Sequence, residues 1–254
     1  MPAFLTTVRR HRDEVRRRLG DGVQTNEVGR AAVLVGGFAE VARRTGLPLR
    51  VLEVGASAGL NLRFDHFAYD VGGRVAGDPT SPVRFQGVWE GVPPELPDAL
   101  AVASRLGCDR SPVDPTTPSG RATLRSFVWP DQLDRLQRLD AAIEVAGRVA
   151  AVVEQADAAE WAARQLAEPV RGVATVVVHS IVLQYLDREQ RARFRGAITE
   201  AGGRATGAAP LAWLRMEPGG ERAEVRLTTW PRGEERILGS AGYHGHPVWW
   251  GQPA

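Results

Sequence analysis

The residues best placed to do chemistry lie in one short run, Glu53-Val54-Gly55-Ala56-Ser57-Ala58-Gly59-Leu60-Asn61. Val51 to Val54 form an apolar stretch that suits a strand buried on both faces, with an acid near its end. A turn of small residues follows, bounded by Gly55 and Gly59, and Leu60, Phe64 and Phe67 then recur at helical spacing. Strand, tight turn and helix in this order build a nucleotide site at the carboxyl edge of a parallel sheet. The glycines let backbone approach a ligand, and the helix N-terminus offers unpaired N–H groups around Ala56, Ser57 and Asn61. Glu53 can accept hydrogen bonds from a ligand's amine or hydroxyls. The Gly-x-x-x-Gly spacing is not the Gly-x-Gly-x-x-Gly of dinucleotide sites, which weighs against NAD.

With its acid two residues ahead of the first glycine, the run resembles motif I of the class I S-adenosylmethionine-dependent methyltransferases, Glu/Asp-x-Gly-x-Gly-x-Gly, with Ser57 in place of the middle glycine. That resemblance implies S-adenosylmethionine as cofactor and S-adenosylhomocysteine as product, with Glu53, Gly55 and Gly59 at the methionine portion. It also implies an acid near the end of the second strand that grips both ribose hydroxyls. Asp109 is the choice here, with Asp70, Asp78 and Asp114 as alternatives, because a carboxylate accepts two hydrogen bonds from a diol. At the turn after the next strand, Asp157 and Ala158 would meet the adenine, although Asp157 suits an N-cap equally well. The fourth strand, Thr175 to Val178, ends in His179-Ser180, where a histidine could serve as general base for the acceptor. Asn26, Arg30, Asp78, Ser180, Tyr185 and His244 are the candidates for the substrate side, and Glu27 shares the mouth formed by Asn26 and Arg30.

Composition narrows the alternatives. In 254 residues, 43% are hydrophobic and 24% charged, which is the balance of a globular protein with one large core. Every basic side chain is arginine, which removes Schiff-base chemistry and the P-loop lysine. The net charge of +2 and the lack of an Asn/Asp-Pro-Pro-aromatic motif argue against a nucleic-acid substrate, so a small molecule is expected. Cys108 is the single cysteine. His244 and His246 would share a strand face, but two histidines without a third ligand make a poor metal set, and no metal is expected. No apolar run approaches a membrane span and no secretory segment is visible, so a cytoplasmic location is expected.

The elements that must position these residues read as follows. A basic helix over 4–19 stops at Gly20-Asp21-Gly22, and an apolar helix over 28–44 stops at Gly46. Segments 67–75 and 83–89 form a hairpin-like insertion around Gly72-Gly73. A short helix is expected near 98–106, then a rigid loop through Asp109 to Pro115. A helix opened by Pro130, a strand at 150–154, a helix carrying Trp161, and the strand at 175–178 come next. A helix from Asp187 to Gly202, a strand at 211–216 and an antiparallel pair at 224–229 and 236–238 complete the sheet.

The phrases Gln-Thr-Asn-Glu at 24–27, Leu-Glu-Val-Gly-Ala-Ser-Ala-Gly-Leu-Asn at 52–61, Gly-Asp-Pro at 77–79, Val-Trp-Pro-Asp-Gln at 128–132, Val-His-Ser at 178–180 and Trp-Leu-Arg-Met-Glu at 213–217 resemble the bacterial domain-of-unknown-function family 2332 over nearly the whole chain. That resemblance implies a methyltransferase-like fold and a further helical segment ahead of residue 1. The expected architecture is a three-layer α/β Rossmann-like domain over 47–254, with a mostly parallel sheet, an antiparallel C-terminal hairpin and a helical extension over 1–46. The expected activity is methyl transfer to an oxygen or nitrogen nucleophile. The alternatives are a SAM-binding sensor or partner subunit, and a SAM-using cyclase or aminocarboxypropyl transferase. The sequence does not fix an oligomeric state.

Overall fold

The computed structural model describes residues 2–19 and 22–252, so the expected helix stop at Gly20-Asp21 lies outside the described residues. The chain opens with α1 (Pro2–Arg10), which has no buried residue, and α2 (Arg12–Arg18). A 3-10 turn (Val28–Arg30) leads into α3 (Ala31–Thr45), closed by Gly46 in the left-handed conformation (φ 65°). Ten residues of α3 are buried, from Ala31 to Val41, so this helix is a layer of the domain rather than an appendage.

One sheet of eight strands organises the rest. Its strands are β1 (Leu49–Val54), β5 (Val102–Asp109), β6 (Val152–Gln155), β7 (Ala174–Ser180), β8 (Leu211–Pro218), β9 (Ala223–Trp230), β10 (Glu234–Ala241) and β11 (Val248–Trp250). Their order is β11-β10-β9-β8-β7-β1-β5-β6. The pairs from β6 to β8 are parallel and those from β8 to β11 antiparallel. In chain order the parallel strands run 3-2-1-4-5, the doubly wound arrangement, with the switch point at β1. Past β8 the chain simply meanders outward. This is the doubly wound α/β fold expected above, with a mostly parallel sheet and an antiparallel C-terminal end.

Helices α6 (Ala158–Gln165) and α7 (Arg188–Arg204) cover one face of the sheet, packing Trp161, Phe194 and Ile198 on Leu52, Val54 and Val177. Asp187 and Gln190 make a reciprocal capping box at the start of α7. On the other face lie α3, α5 (Leu133–Arg148) and the turn at Asn61–His66, which pack on Leu49, Val51, Val176 and Val178. Leu60, Phe64 and Phe67 are fully buried as their spacing predicts, but Asn61–His66 is 3-10 rather than α.

The insertion is a small second sheet, β2 (Ala68–Val71), β3 (Arg74–Gly77) and β4 (Arg84–Phe85), with β2 and β3 joined as a hairpin through Gly72-Gly73. One expectation fails between residues 98 and 130. The helix expected near 98–106 is β5, paired on both sides with β1 and β6. The expected loop follows it through Pro115, and α4 (Pro118–Ser126), capped by Thr117, comes next. Pairing on both edges supplies β5 with backbone hydrogen bonds that override its weak strand pattern.

Candidate functional site

A cavity of about 300 Å³ opens at the carboxyl ends of the central strands. Register places its walls. Val54 is level with Cys108 on β5, so Asp109 sits beside Gly55, and Ser180 at the end of β7 flanks the same turn from the other side. Val54, Gly55 and Ser57 form the floor, Cys108 and Asp109 one wall, Ser180, Ile181 and Val182 the other, with Ala156 and Ala158 beyond β6. Gly22 to Thr25 and Arg30 close it from the N-terminal side, and Tyr185 and Leu186 from the turn after β7.

The motif turn is shaped for close approach. Gly55 has φ 69°, and a Cβ there would sit 2.5 Å from Val182 Cγ2. Ser57 holds φ 52°, the left-handed region that glycine favours. Ile181, a β-branched residue, has φ 56°. Both strained residues line the cavity, and backbone strain of this kind collects at ligand sites.

Five N–H groups of the turn, from Ala56 to Leu60, are already bonded. Ser57 N–H donates to Asp109 Oδ2 (2.9 Å), and the N–H groups of Ala58 and Leu60 both donate to Asn26 Oδ1 (3.2 and 3.0 Å). Ala56 N–H is held by Cys108 O and Gly59 N–H by Ala56 O. The segment 24–27 therefore wraps the turn. Gln24 joins its two sides, because Ser57 Oγ donates to its Oε1 (2.9 Å) and its Nε2 donates to Asp109 Oδ1 (3.1 Å). Ser111 N–H also donates to Asp109 Oδ1 (2.9 Å). Three of about four acceptor positions on the Asp109 carboxylate are thus in use.

Of the cofactor candidates, Gly55, Ser57, Asp109 and Ala158 line the cavity, and of the substrate candidates Arg30, Ser180 and Tyr185 do. The others lie elsewhere. Glu53 is one rung below the cavity floor and faces α3, sharing an interior gap with Phe38, Asn61 and Phe64. It is 4% exposed, makes no hydrogen bond among the described residues, and its Oε2 is an unpartnered buried atom. Burial pushes its pKa up to about 8 against the opposing pull of Arg63, so the group is neutral at pH 7. It cannot hold a ligand amine in the cavity in this arrangement. Ala56 packs against Gly107. Gly59 fits under Val153, and Asn61 Nδ2 donates to Glu27 O (3.1 Å).

His179 is a correction to the sequence reading. The ring is fully buried, with Nδ1 2.7 Å from Glu217 Oε1 and Nε2 accepting from Trp213 Nε1–H (2.9 Å). The tautomer that satisfies both bonds carries its proton on Nδ1. Both nitrogens are used, and Phe194 stacks edge-on at 5.5 Å, so no lone pair is left for a substrate proton. Glu217 Oε1 also accepts from Val182 N–H (2.9 Å), which ties this buried pair to the strained turn at Ile181. The histidine positions the turn; it is not a base in the cavity.

Asp157 caps α6, its Oδ1 accepting from the N–H groups of Ala159 and Glu160, while the alanines on either side reach the cavity. Asp78 and Asp114 make local turns with Thr80 and Thr116. Asp70 belongs to β2, away from the cavity. Glu27 is buried with His244 Nδ1 at 3.0 Å and Arg135 paired to the same Oε2, so His244 is held outside the cavity. Burial alone would raise the Glu27 pKa, but the His244 hydrogen bond and the Arg135 charge bring it below the usual value. No cluster of three metal-ligating side chains occurs among the described residues. No helix among them is long and apolar enough to cross a membrane. Sequence reasoning missed Gln24, Ile181 and Leu186, since their roles depend on long-range packing and backbone conformation.

The family model described as "Uncharacterized protein conserved in bacteria (DUF2332)" matches residues 1–250. No curated protein matches the sequence. Among solved structures, one described as a DhpI–SAH complex is similar at 9% identity and a TM-score of 0.28, covering 90% of this chain and 82% of that one.

Proposed function

This chain belongs to the DUF2332 family, and on that premise we propose that its switch-point cavity binds S-adenosylmethionine for methyl transfer to a small oxygen or nitrogen nucleophile. The observation that carries the reading is Asp109 standing beside Gly55 and Ser57 at the wall of a cavity where doubly wound sheets bind nucleotides. The donor set fits such a ligand. Asp109 supplies a carboxylate for a diol, the alanines at 156 and 158 leave a flat apolar wall for a purine, and Arg30 supplies a cation. About 300 Å³ is at the lower end of the range for small-molecule sites. Gln24 must leave Asp109 for both hydroxyls to be gripped.

When bound, the cofactor supplies a methyl group that is already activated, so the residues here act mainly by positioning. Asp109 and Ser57 fix one end of the ligand, and Ser180 and Tyr185 border the space left for the acceptor. Cys108 is no candidate for a nucleophile, because burial pushes its thiol up to about 12. The test is incubation of the protein with S-adenosylmethionine and pooled small-molecule acceptors, reading S-adenosylhomocysteine. Release above an acceptor-free control supports transfer.

A second reading, binding without transfer, draws on one observation. Among the described residues, the cavity wall holds no histidine or glutamate, and its one carboxylate, Asp109, is bonded by Gln24. Tight binding with no product in the same assay favours this sensor-like role.

A further inference from the structure

This inference rests on the ligand reading above and asks which group holds the ligand's charged tail. The motif turn is a poor carboxylate site, because the N–H groups of Ala56, Ser57, Ala58, Gly59 and Leu60 are already bonded to Cys108, Asp109, Asn26 and Ala56. Asp109 would repel one, and Glu53 lies behind the floor. Arg30 remains. Its Nε donates to Tyr243 O (3.1 Å), and its Nη1 donates to Ser180 O (3.0 Å) and Ser180 Oγ (3.3 Å). These bonds fix the guanidinium plane, while Nη2 has no hydrogen-bond partner among the described residues. Burial lowers the pKa of Arg30 below its usual value, yet a guanidinium starts so high that it stays charged. Arg110 also borders the cavity but is exposed and solvated.

We infer that Arg30 is a carboxylate anchor, and that the cavity selects adenosyl compounds carrying an amino-acid tail over those without one. Ser180 on β7 and Asp109 on β5 flank β1 on opposite sides, so strand spacing sets them roughly 10 Å apart. A ligand with a diol at one end and a carboxylate at the other bridges that span. A preorganised, desolvated guanidinium gives a charge-assisted bond whose loss is read as roughly a ten- to hundredfold weakening.

The experiment is calorimetric titration with S-adenosylhomocysteine, its carboxamide and methylthioadenosine, which lacks the tail. Wild-type protein should bind the acid at least about tenfold tighter than the other two. Arg30→Gln should bring the acid down to the level of the carboxamide while changing methylthioadenosine less than about threefold. Arg30→Lys, which keeps the charge, should fall between. Arg30 also ties Ser180 to Tyr243, so circular dichroism establishes that each variant is folded; if neither is, the wild-type ligand series decides. Equal wild-type affinity for acid and carboxamide overturns the anchor while leaving the cavity reading intact. So does a folded Arg30→Gln protein that keeps its preference. Failure of folded wild type to bind any of the three overturns both.

Discussion

In the Glu53→Gln variant an amide replaces a carboxyl group that is held neutral behind the motif turn. The native carboxyl is buried without a hydrogen-bond partner, and burial raises its pKa from 4.5 to about 8. Below pH 4.5 the proton is bound in both folded and unfolded chains, so the group adds no pH dependence. Between pH 4.5 and 8 the unfolded chain releases the proton and the folded chain keeps it, so wild-type stability falls by about 1.4 kcal/mol per pH unit. Above pH 8 both states are ionised and the loss levels off, at about 5 kcal/mol in total. Glutamine has the same shape and no proton to lose. Urea unfolding of both proteins from pH 4.5 to 9 should therefore show the variant gaining on wild type, by about 3 kcal/mol at pH 7 relative to pH 4.5. A stability difference that stays flat with pH would refute the reasoning. The same variant should bind S-adenosylhomocysteine within about twofold of wild type, because Glu53 lies outside the cavity.

His179→Ala should cost on the order of 2–4 kcal/mol in urea unfolding, since it opens a void and strands Trp213 Nε1–H and Glu217 in the interior. A variant as stable as wild type that has lost only turnover would restore the general-base role. Gln24→Ala removes the side chain that competes for Asp109, and should tighten S-adenosylhomocysteine by about threefold to tenfold in calorimetry. Weaker binding would show instead that Gln24 belongs to the ligand's own shell.

The switch-point strands were legible because their residue types and their burial agree. Val51 to Val54 and Thr175 to Val178 are apolar runs packed on both faces. The turn between Gly55 and Gly59 was legible from small residues alone. What periodicity could not reveal is which of two buried faces a polar residue joins. His179 shares its face with Val177, toward α6 and α7, and Glu53 shares its face with Val51, toward α3. Both sit near strand ends, but neither points past the edge. β5 was illegible because Ser104 and Arg105 break its apolar pattern. Arg105 is accommodated by Asp65 through two hydrogen bonds (2.6 and 2.8 Å) and by Leu62 O (2.8 Å). The wrapping of the motif turn by Gln24 and Asn26 joins residues more than thirty positions apart, beyond any local pattern.

The most direct test of the account is calorimetric titration of S-adenosylhomocysteine into wild type and Asp109→Asn. Asparagine keeps the shape but loses one acceptor oxygen and the charge. The account predicts micromolar binding to wild type, weakened at least about tenfold in a variant whose circular dichroism is unchanged. No binding to folded wild type, or equal binding to both, would contradict it.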